Sequence, residues 1–359
     1  MQNNIDMFER IKYAVVAAFA ASAIMLGVPF AVAPAAGAEA ELVEYTGRVE
    51  HIFTHELVFD TDKAFASDNK LRDCFDKDHL TAREFKALLN ELYNNNYVLV
   101  SLNGVIEGKP IMLPQGKKPL VLSFDDMTYD TVGRGCIDKL IMHDGKLCDY
   151  TACAAPQISR ERENVTILES FIELHPDFSP TGGRATLCVN GYNGILGYRI
   201  TPDCRVGERV MKKEIKECKE FVNALKSLGY TFASHTYYHS YFNSTSAKKL
   251  REDCEMWRKH IAPVVGDTRV LCYPAGQHRA DGSKNEIFKE FGFDVFLCVG
   301  SYDGTDYERN ATNAKYIYRR PFDGTALRLY GKLYAHLVDT RAIYDPARFR
   351  PFEYKGGYY

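Results

Sequence analysis

The stretch Pro119-Leu120-Val121-Leu122-Ser123-Phe124-Asp125-Asp126 is an apolar run that stops on two adjacent carboxylates. A short uncharged run of this kind reads as a buried strand. Two later runs behave the same way. Residues 230–233 lead into Ser234-His235-Thr236-Tyr237-Tyr238-His239, and residues 270–273 lead into Pro274-Ala275-Gly276. Each run therefore carries its chemistry at the C-terminal end of a predicted strand, the end that bears the active site in α/β barrels. Three separate motifs at the same end of three strands are hard to obtain by chance.

Outward from these strands the chain alternates helical and extended patterns. Thr81 followed by Glu84 has the spacing of a capping box, and Phe85, Leu88, Leu89 and Leu92 give the helix behind it an apolar stripe. Residues 97–100 and 185–189 read as strands. Residues 211–228 carry apolar side chains at helical spacing until Gly229 stops them. Helix 247–261, strand 270–273, helix 285–291 and strand 295–299 follow. Such alternation predicts an α/β fold with a parallel sheet, open or closed into a barrel. Between residues 128 and 183 the alternation breaks into a polar, turn-rich stretch too long for an ordinary connection. It reads as an insertion after the first motif strand, with a short helix at 169–175 ended by Pro176. The insertion either walls a cleft or is a surface subdomain.

Arg10 and Lys12 precede an uncharged stretch from Tyr13 to Ala38 that ends among small residues. This pattern predicts a signal peptide over residues 1–40, or an uncleaved membrane anchor, since the stretch is long enough to span a bilayer. Pro29 and Pro34 favour the cleaved form. The remainder is expected outside the cytoplasm, secreted or at the cell surface. It divides into an extension (41–115) with an early strand and helix, a catalytic region (116–330) and a tail (331–359). A formal charge of -2 and the lack of a long basic run argue against nucleic acid as a partner. The ten cysteines permit disulfides without fixing their pairing. Cys136, Cys148 and Cys153, in a polar segment, are the better candidates, whereas Cys188, Cys272 and Cys298 sit in strand-like runs as small apolar residues.

His235 and His239 stand at i and i+4, so on a helical turn both rings face one side. With a carboxylate from another strand end they make an Asp-His-His metal set. Zinc is the default for such N/N/O ligation, and cobalt, nickel or manganese are also suited. Adjacent residues on a strand point to opposite faces. Asp125 and Asp126 therefore reach one site only if the strand is ending in a loop.

The segments 123–127 (Ser-Phe-Asp-Asp-Met), 235–239 (His-Thr-Tyr-Tyr-His) and 273–276 (Tyr-Pro-Ala-Gly) resemble the three signature motifs of the polysaccharide deacetylase family, carbohydrate esterase family 4 with its NodB homology domain. The resemblance covers roughly residues 117–325 and implies a distorted (β/α) barrel. It further implies Asp125 as general base and Asp126, His235 and His239 as metal ligands. The backbone of Ala275 would serve the oxyanion, with Tyr273 and Pro274 against substrate. Cys272 stands where the family has an arginine, and Arg319 or Arg320 would take over the hold on Asp125, Arg320 being assigned to the site. The late Leu-x-His motif that supplies the acid has no clear counterpart. His336 and His55 are the candidates. Met127 replaces the glycine of the first motif, which is expected to reshape the turn and narrow the cleft.

The function implied is metal-dependent removal of acetyl groups from N-acetylated, or O-acetylated, sugars of a cell-wall or extracellular polysaccharide. Two other readings stand beside it. One is a catalytically silent carbohydrate-binding relative, and the other is a hydrolase of a non-sugar amide on the same fold.

Overall fold

The computed structural model describes residues 41–129, 135–277, 284–304, 308–311 and 314–353. The expected signal or anchor segment lies outside the described residues. No helix among the described residues is long and apolar enough to cross a membrane.

Seven strands pair in parallel and close on themselves. They are β1 (Glu50–Thr54), β2 (Lys118–Phe124), β3 (Thr186–Val189), β4 (Thr231–Ser234), β5 (Val270–Cys272), β6 (Val295–Val299) and β7 (Ala314–Pro321). They neighbour one another in chain order, and the β6–β7 and β7–β1 pairings complete the ring. The ring is uneven. β6 and β7 share five residue pairs, β2 and β3 only two, and β4 and β5 only Ser234 with Leu271. The fold is thus a distorted (β/α) barrel, and the open alternative is excluded by closure.

Side chains alternate across the barrel wall. Val49, Val121, Cys188, Ala233, Val270, Cys272, Val295, Leu297 and Ile317 pack together inside. Their neighbours Ile52, Leu122, Leu187, Phe232, Leu271, Phe296 and Tyr316 pack outward beneath the helices. Inner and outer residues are both apolar, which is why the strands read as continuous runs.

The helices follow from their ends and stripes. α1 (Ala82–Asn94) opens with the capping box foreseen, Thr81 and Glu84 each bonding the other's backbone N–H. α3 (Glu208–Leu228) buries Cys218, Phe221, Val222 and Leu225 and ends at Gly229, whose φ of 109° is left-handed. α4 (Ala247–His260), α5 (Asn285–Glu290) and α6 (Gly324–Leu329) follow β4, β5 and β7.

The insertion after β2 holds a small antiparallel sheet, Lys139–His143, Lys146–Tyr150 and Ile158–Ser159. It then becomes the crossover helix α2 (Asn164–Leu174). That helix starts five residues earlier than its apolar pattern suggested, because Glu163 caps it with its own carboxylate at 2.7 Å from the Asn164 N–H. Pro176 begins a short 3-10 turn as the helix ends. The tail folds back on the barrel: Arg348, fully buried, makes two 2.7 Å bonds to Glu84 of α1. None of the ten cysteines is joined in a disulfide, the three candidates included.

Candidate active site

Six of the seven strands deliver residues to one cleft at their C-terminal ends, with a volume of about 430 Å³. β1 leads to His55, β2 to Asp125 and Asp126, and β4 to His235, His239 and Tyr241. β5 leads to Ala275, β6 to Tyr302 and β7 to Asp323. Asn190, just past β3, reaches in to donate from Nδ2 to Asp126 Oδ1 at 3.0 Å.

Two adjacent carboxylates share this cleft because the strand ends between them. Asp125 keeps a strand-like contact, its N–H donating to Thr54 O at 2.9 Å. Asp126 then turns left-handed, with φ 57°. That kink, not the Met127 substitution, shapes the turn. Met127 is fully buried away from the cleft, its sulfur receiving the Asn164 amide and the Tyr129 hydroxyl. It therefore does not narrow the site, which corrects the expectation.

Asp126 Oδ1 lies 3.6 Å from His235 Nε2 and 3.5 Å from His239 Nε2. No helical turn aligns the two rings. Thr236 and His239 are both left-handed, and Asp253 of α4 cinches the loop between them by accepting the N–H of Tyr237 at 2.6 Å and of Tyr238 at 3.0 Å. His235 Nδ1 sits 3.1 Å from Cys272 O, and since a carbonyl only accepts, Nδ1 carries the hydrogen and Nε2 is left for the cleft. A carboxylate and two imidazoles converging at these separations, one ring oriented through a backbone carbonyl, fit a divalent cation in donor type and placement.

The charges of these three side chains also act on one another. Burial alone would raise Asp126, but the two imidazoles outweigh it and hold the carboxyl below its usual range. Burial would also push His235 down, yet Cys272 and the two aspartates lift it to about 10. His239 is lowered, chiefly by burial.

Asp125 is engaged from the other side by Arg319. Nη1 lies 2.7 Å from Oδ1 and Nη2 lies 2.8 Å from Oδ2. Burial works to raise this carboxyl, but Arg319 and then His235 hold it far below the ordinary range. Arg319 is wholly buried, with its guanidinium 4.2 Å over the Phe53 ring and 2.8 Å from Cys272 Sγ. A second potential metal group, Asp125 with His235 and Cys272, is thereby already served by a cation, the guanidinium itself.

Arg320 does not reach Asp125. It points out of the barrel to Glu50 and to the backbone of Tyr302 and Leu333, because it follows Arg319 on a strand whose side chains alternate. The assignment of Arg320 to the site is corrected to Arg319. His336 is corrected too. It lies 3.4 Å from Glu50, at the start of β1 and thus at the opposite end of the barrel from the cleft.

His55 does line the cleft, with Nδ1 2.8 Å from Asp78 O and its ring 5.6 Å from His79. Burial lowers His79 to about 4, so it is neutral near pH 7. Ala275 faces the cleft with φ 52°. Tyr273 and Pro274 were expected against substrate. Tyr273 does line the cleft, while its ring packs on Phe242, Phe288 and Phe296 with its hydroxyl 2.7 Å from Asn285; Pro274 is buried in the turn and does not line it. None of the described residues of the insertion lines the cleft, which favours the surface-subdomain reading.

Sequence reading missed Asn190, Asp253, His79 and Asp323. Asn190 carried a weak signal as the polar residue ending the run 185–189, the same place that yielded Asp125 and His235.

The profile of the family described as Polysaccharide deacetylase matches residues 204–296, a span that holds the second and third motifs. No curated protein is significantly similar to the chain. Distantly similar solved structures include the Streptococcus pyogenes deacetylase PplD in complex with acetate, 13% identical with a TM-score of 0.40, covering 79% of this chain and 94% of that one. The de-N-acetylase from Aggregatibacter actinomycetemcomitans is 14% identical with a TM-score of 0.45, covering 77% and 96%. IcaB from Ammonifex degensii is 14% identical with a TM-score of 0.40, covering 78% and 93%. Over residues 204–296 the chain thus matches the polysaccharide deacetylase family, and its three motifs resemble that family's.

Proposed function

We propose that the protein is an exported, metal-dependent hydrolase that removes acetyl groups from N-acetylated sugars of a cell-wall or extracellular polysaccharide. The observation that carries this reading is the pairing, in one cleft, of the triad Asp126–His235–His239 with a separate carboxylate, Asp125, that is locked to Arg319. A site that only bound sugar would have no use for a second, ionised carboxylate beside the ligand set.

Asp126, His235 and His239 would hold the cation, with zinc as first choice. When bound, it supplies Lewis acidity toward an acetyl carbonyl and toward water. Asp125 takes the proton of the attacking water at a carboxylate oxygen. So acidic a carboxylate is a poor base toward free water, and the two functions therefore belong together. Arg319 keeps Asp125 ionised and aimed. The Ala275 N–H serves the oxygen that gains charge, as the motif match implies. His55, which lines the cleft, would protonate the departing amine. Its Nδ1 is committed to Asp78 O, which leaves Nε2 to carry the proton.

The apolar segment before residue 40 supports an extracytoplasmic location and a polymeric substrate. The test is acetate release by the chain from Glu41 onward, supplied with zinc or cobalt, on N-acetylglucosamine oligomers, peptidoglycan and a simple non-sugar acetamide. Release from the sugars alone supports the proposal. Release from the acetamide alone replaces the substrate class, and metal binding without any release replaces catalysis with carbohydrate binding.

A further inference from the structure

Below the catalytic pair lies a buried imidazole that the chemistry above does not use. His51 is the second residue of β1, points into the barrel and is 5% exposed. Its Nε2 is 3.1 Å from Ser123 Oγ on the neighbouring strand β2, and Ser123 is fully buried. Arg319 Nη1 lies 3.0 Å from the same Ser123 Oγ.

Donor counting fixes the direction of these bonds. An arginine only donates, so Ser123 Oγ accepts from Arg319 and retains one hydrogen to give. His51 is held well below its ordinary pKa by burial and by Arg319, so its imidazole is neutral and can accept that hydrogen at Nε2. All four Nη hydrogens of Arg319 then have acceptors: Ser123, two oxygens of Asp125, and Cys272 Sγ. Nε has none. The guanidinium's hydrogen bonds are therefore made by its Nη atoms alone, over the Phe53 ring, and the Ser123 contact is the one at the end of the fork away from Cys272.

A histidine at this depth is costly unless it is used. The barrel interior around it is aliphatic, with Val49, Val121 and Ile317 among its members, and an aliphatic residue would avoid desolvating a polar ring. We propose that His51, acting through Ser123, is a positioning residue that fixes the Arg319 guanidinium in the plane engaging both oxygens of Asp125. The column His51–Ser123–Arg319–Asp125 runs from β1 to the cleft floor. This role rests on the hydrolase reading of the site.

The experiment compares His51→Phe, His51→Gln, Ser123→Ala and the double variant His51→Gln/Ser123→Ala in the zinc-loaded protein. Expected for His51→Phe and Ser123→Ala is a fall in kcat of about tenfold or more, with KM and zinc affinity within about twofold. The Gln variant, whose amide oxygen can take the Ser123 hydrogen, regains most of the loss. The double variant is no worse than Ser123→Ala, because both changes break one column. A crystal structure of His51→Phe should show Arg319 Nη1 parted from Ser123 Oγ. Wild-type kcat in both single losses, additive losses in the double variant, or an unmoved Arg319 would each overturn the role. If His51→Phe does not fold, His51→Gln, Ser123→Ala and the cycle decide. A wild-type protein that binds zinc but releases no acetate counts against the hydrolase reading and takes this role with it. Normal turnover in every variant counts against the positioning role alone.

Discussion

Arg319 and Asp125 face each other through two parallel hydrogen bonds of 2.7 and 2.8 Å, with side chains 0% and 4% exposed. A planar guanidinium meeting a carboxylate fork to fork is the strong form of the ion pair. Removing one partner leaves the other charge buried and alone, which costs about 3–5 kcal/mol. Arg319→Met is therefore expected to lower the unfolding free energy by about that amount and kcat by about 100-fold. Arg319→Lys, with charge but no fork, should recover stability more than rate. Urea unfolding and steady-state kinetics check both halves.

Asn190 steadies the metal-binding carboxylate from β3, donating to the same Asp126 oxygen that faces both histidines. Partners of this kind orient a ligand without touching the metal, and losing one weakens affinity by about 10–100-fold. Asn190→Ala is expected to weaken zinc binding within that range in chelator competition, while Asp126→Ala should abolish it. Equal affinity in Asn190→Ala and wild type would remove Asn190 from the site.

Buried neutral histidine sets a pH dependence of stability. His79 is lowered from 6.5 to about 4, so between those values the unfolded chain binds a proton that the folded chain does not. Stability is full above the unfolded pKa and falls as pH drops through the folded one. The shift corresponds to at most about 3 kcal/mol. Asp323, raised to about 6 by burial, works the opposite way below that pH. The informative quantity is thus the difference between wild type and His79→Gln. Chemical unfolding from pH 7 to pH 4 should show the wild type losing more stability than the variant.

Thr81 serves two elements at once. Its hydroxyl oxygen accepts the Glu84 N–H at 3.1 Å and its hydrogen goes to Asp345 Oδ2 at 2.8 Å, tying α1 to the tail. Thr81→Ala is expected to cost about 1–2 kcal/mol, with Thr81→Ser restoring most of it. Thermal melts of the two variants test this, and acetate release should be unchanged in both.

How much of this was legible in the sequence depends on what each residue's position relies on. Asp125, Asp126 and His235 were readable because strand ends are local features: an apolar run stops and a polar residue follows. The choice between Arg319 and Arg320 was not readable. Both parities of β7 mix apolar and charged residues, Lys315, Ile317 and Arg319 on one and Tyr316, Tyr318 and Arg320 on the other, so the alternation leaves no mark. His336 failed for a different reason, because its place depends on how the tail crosses the barrel, which no local pattern encodes. The i, i+4 spacing of His235 and His239 suggested a helical turn, yet a left-handed loop pinned by Asp253 brings the rings together. The spacing was a correct signal with the wrong local geometry. The insertion hid α2 because its polar cap, Glu163, is itself buried and lies behind a turn-rich stretch.

The central claim is that Asp125 and the Asp126–His235–His239 set act together in hydrolysis. The most direct measurement is acetate release from an N-acetylglucosamine oligomer by wild type and Asp125→Asn, each metal-free and zinc-loaded, with zinc binding measured in parallel. The account predicts release by zinc-loaded wild type alone, and zinc binding by Asp125→Asn within about tenfold of wild type. Equal release by zinc-loaded Asp125→Asn, or undiminished release by metal-free wild type, would contradict it.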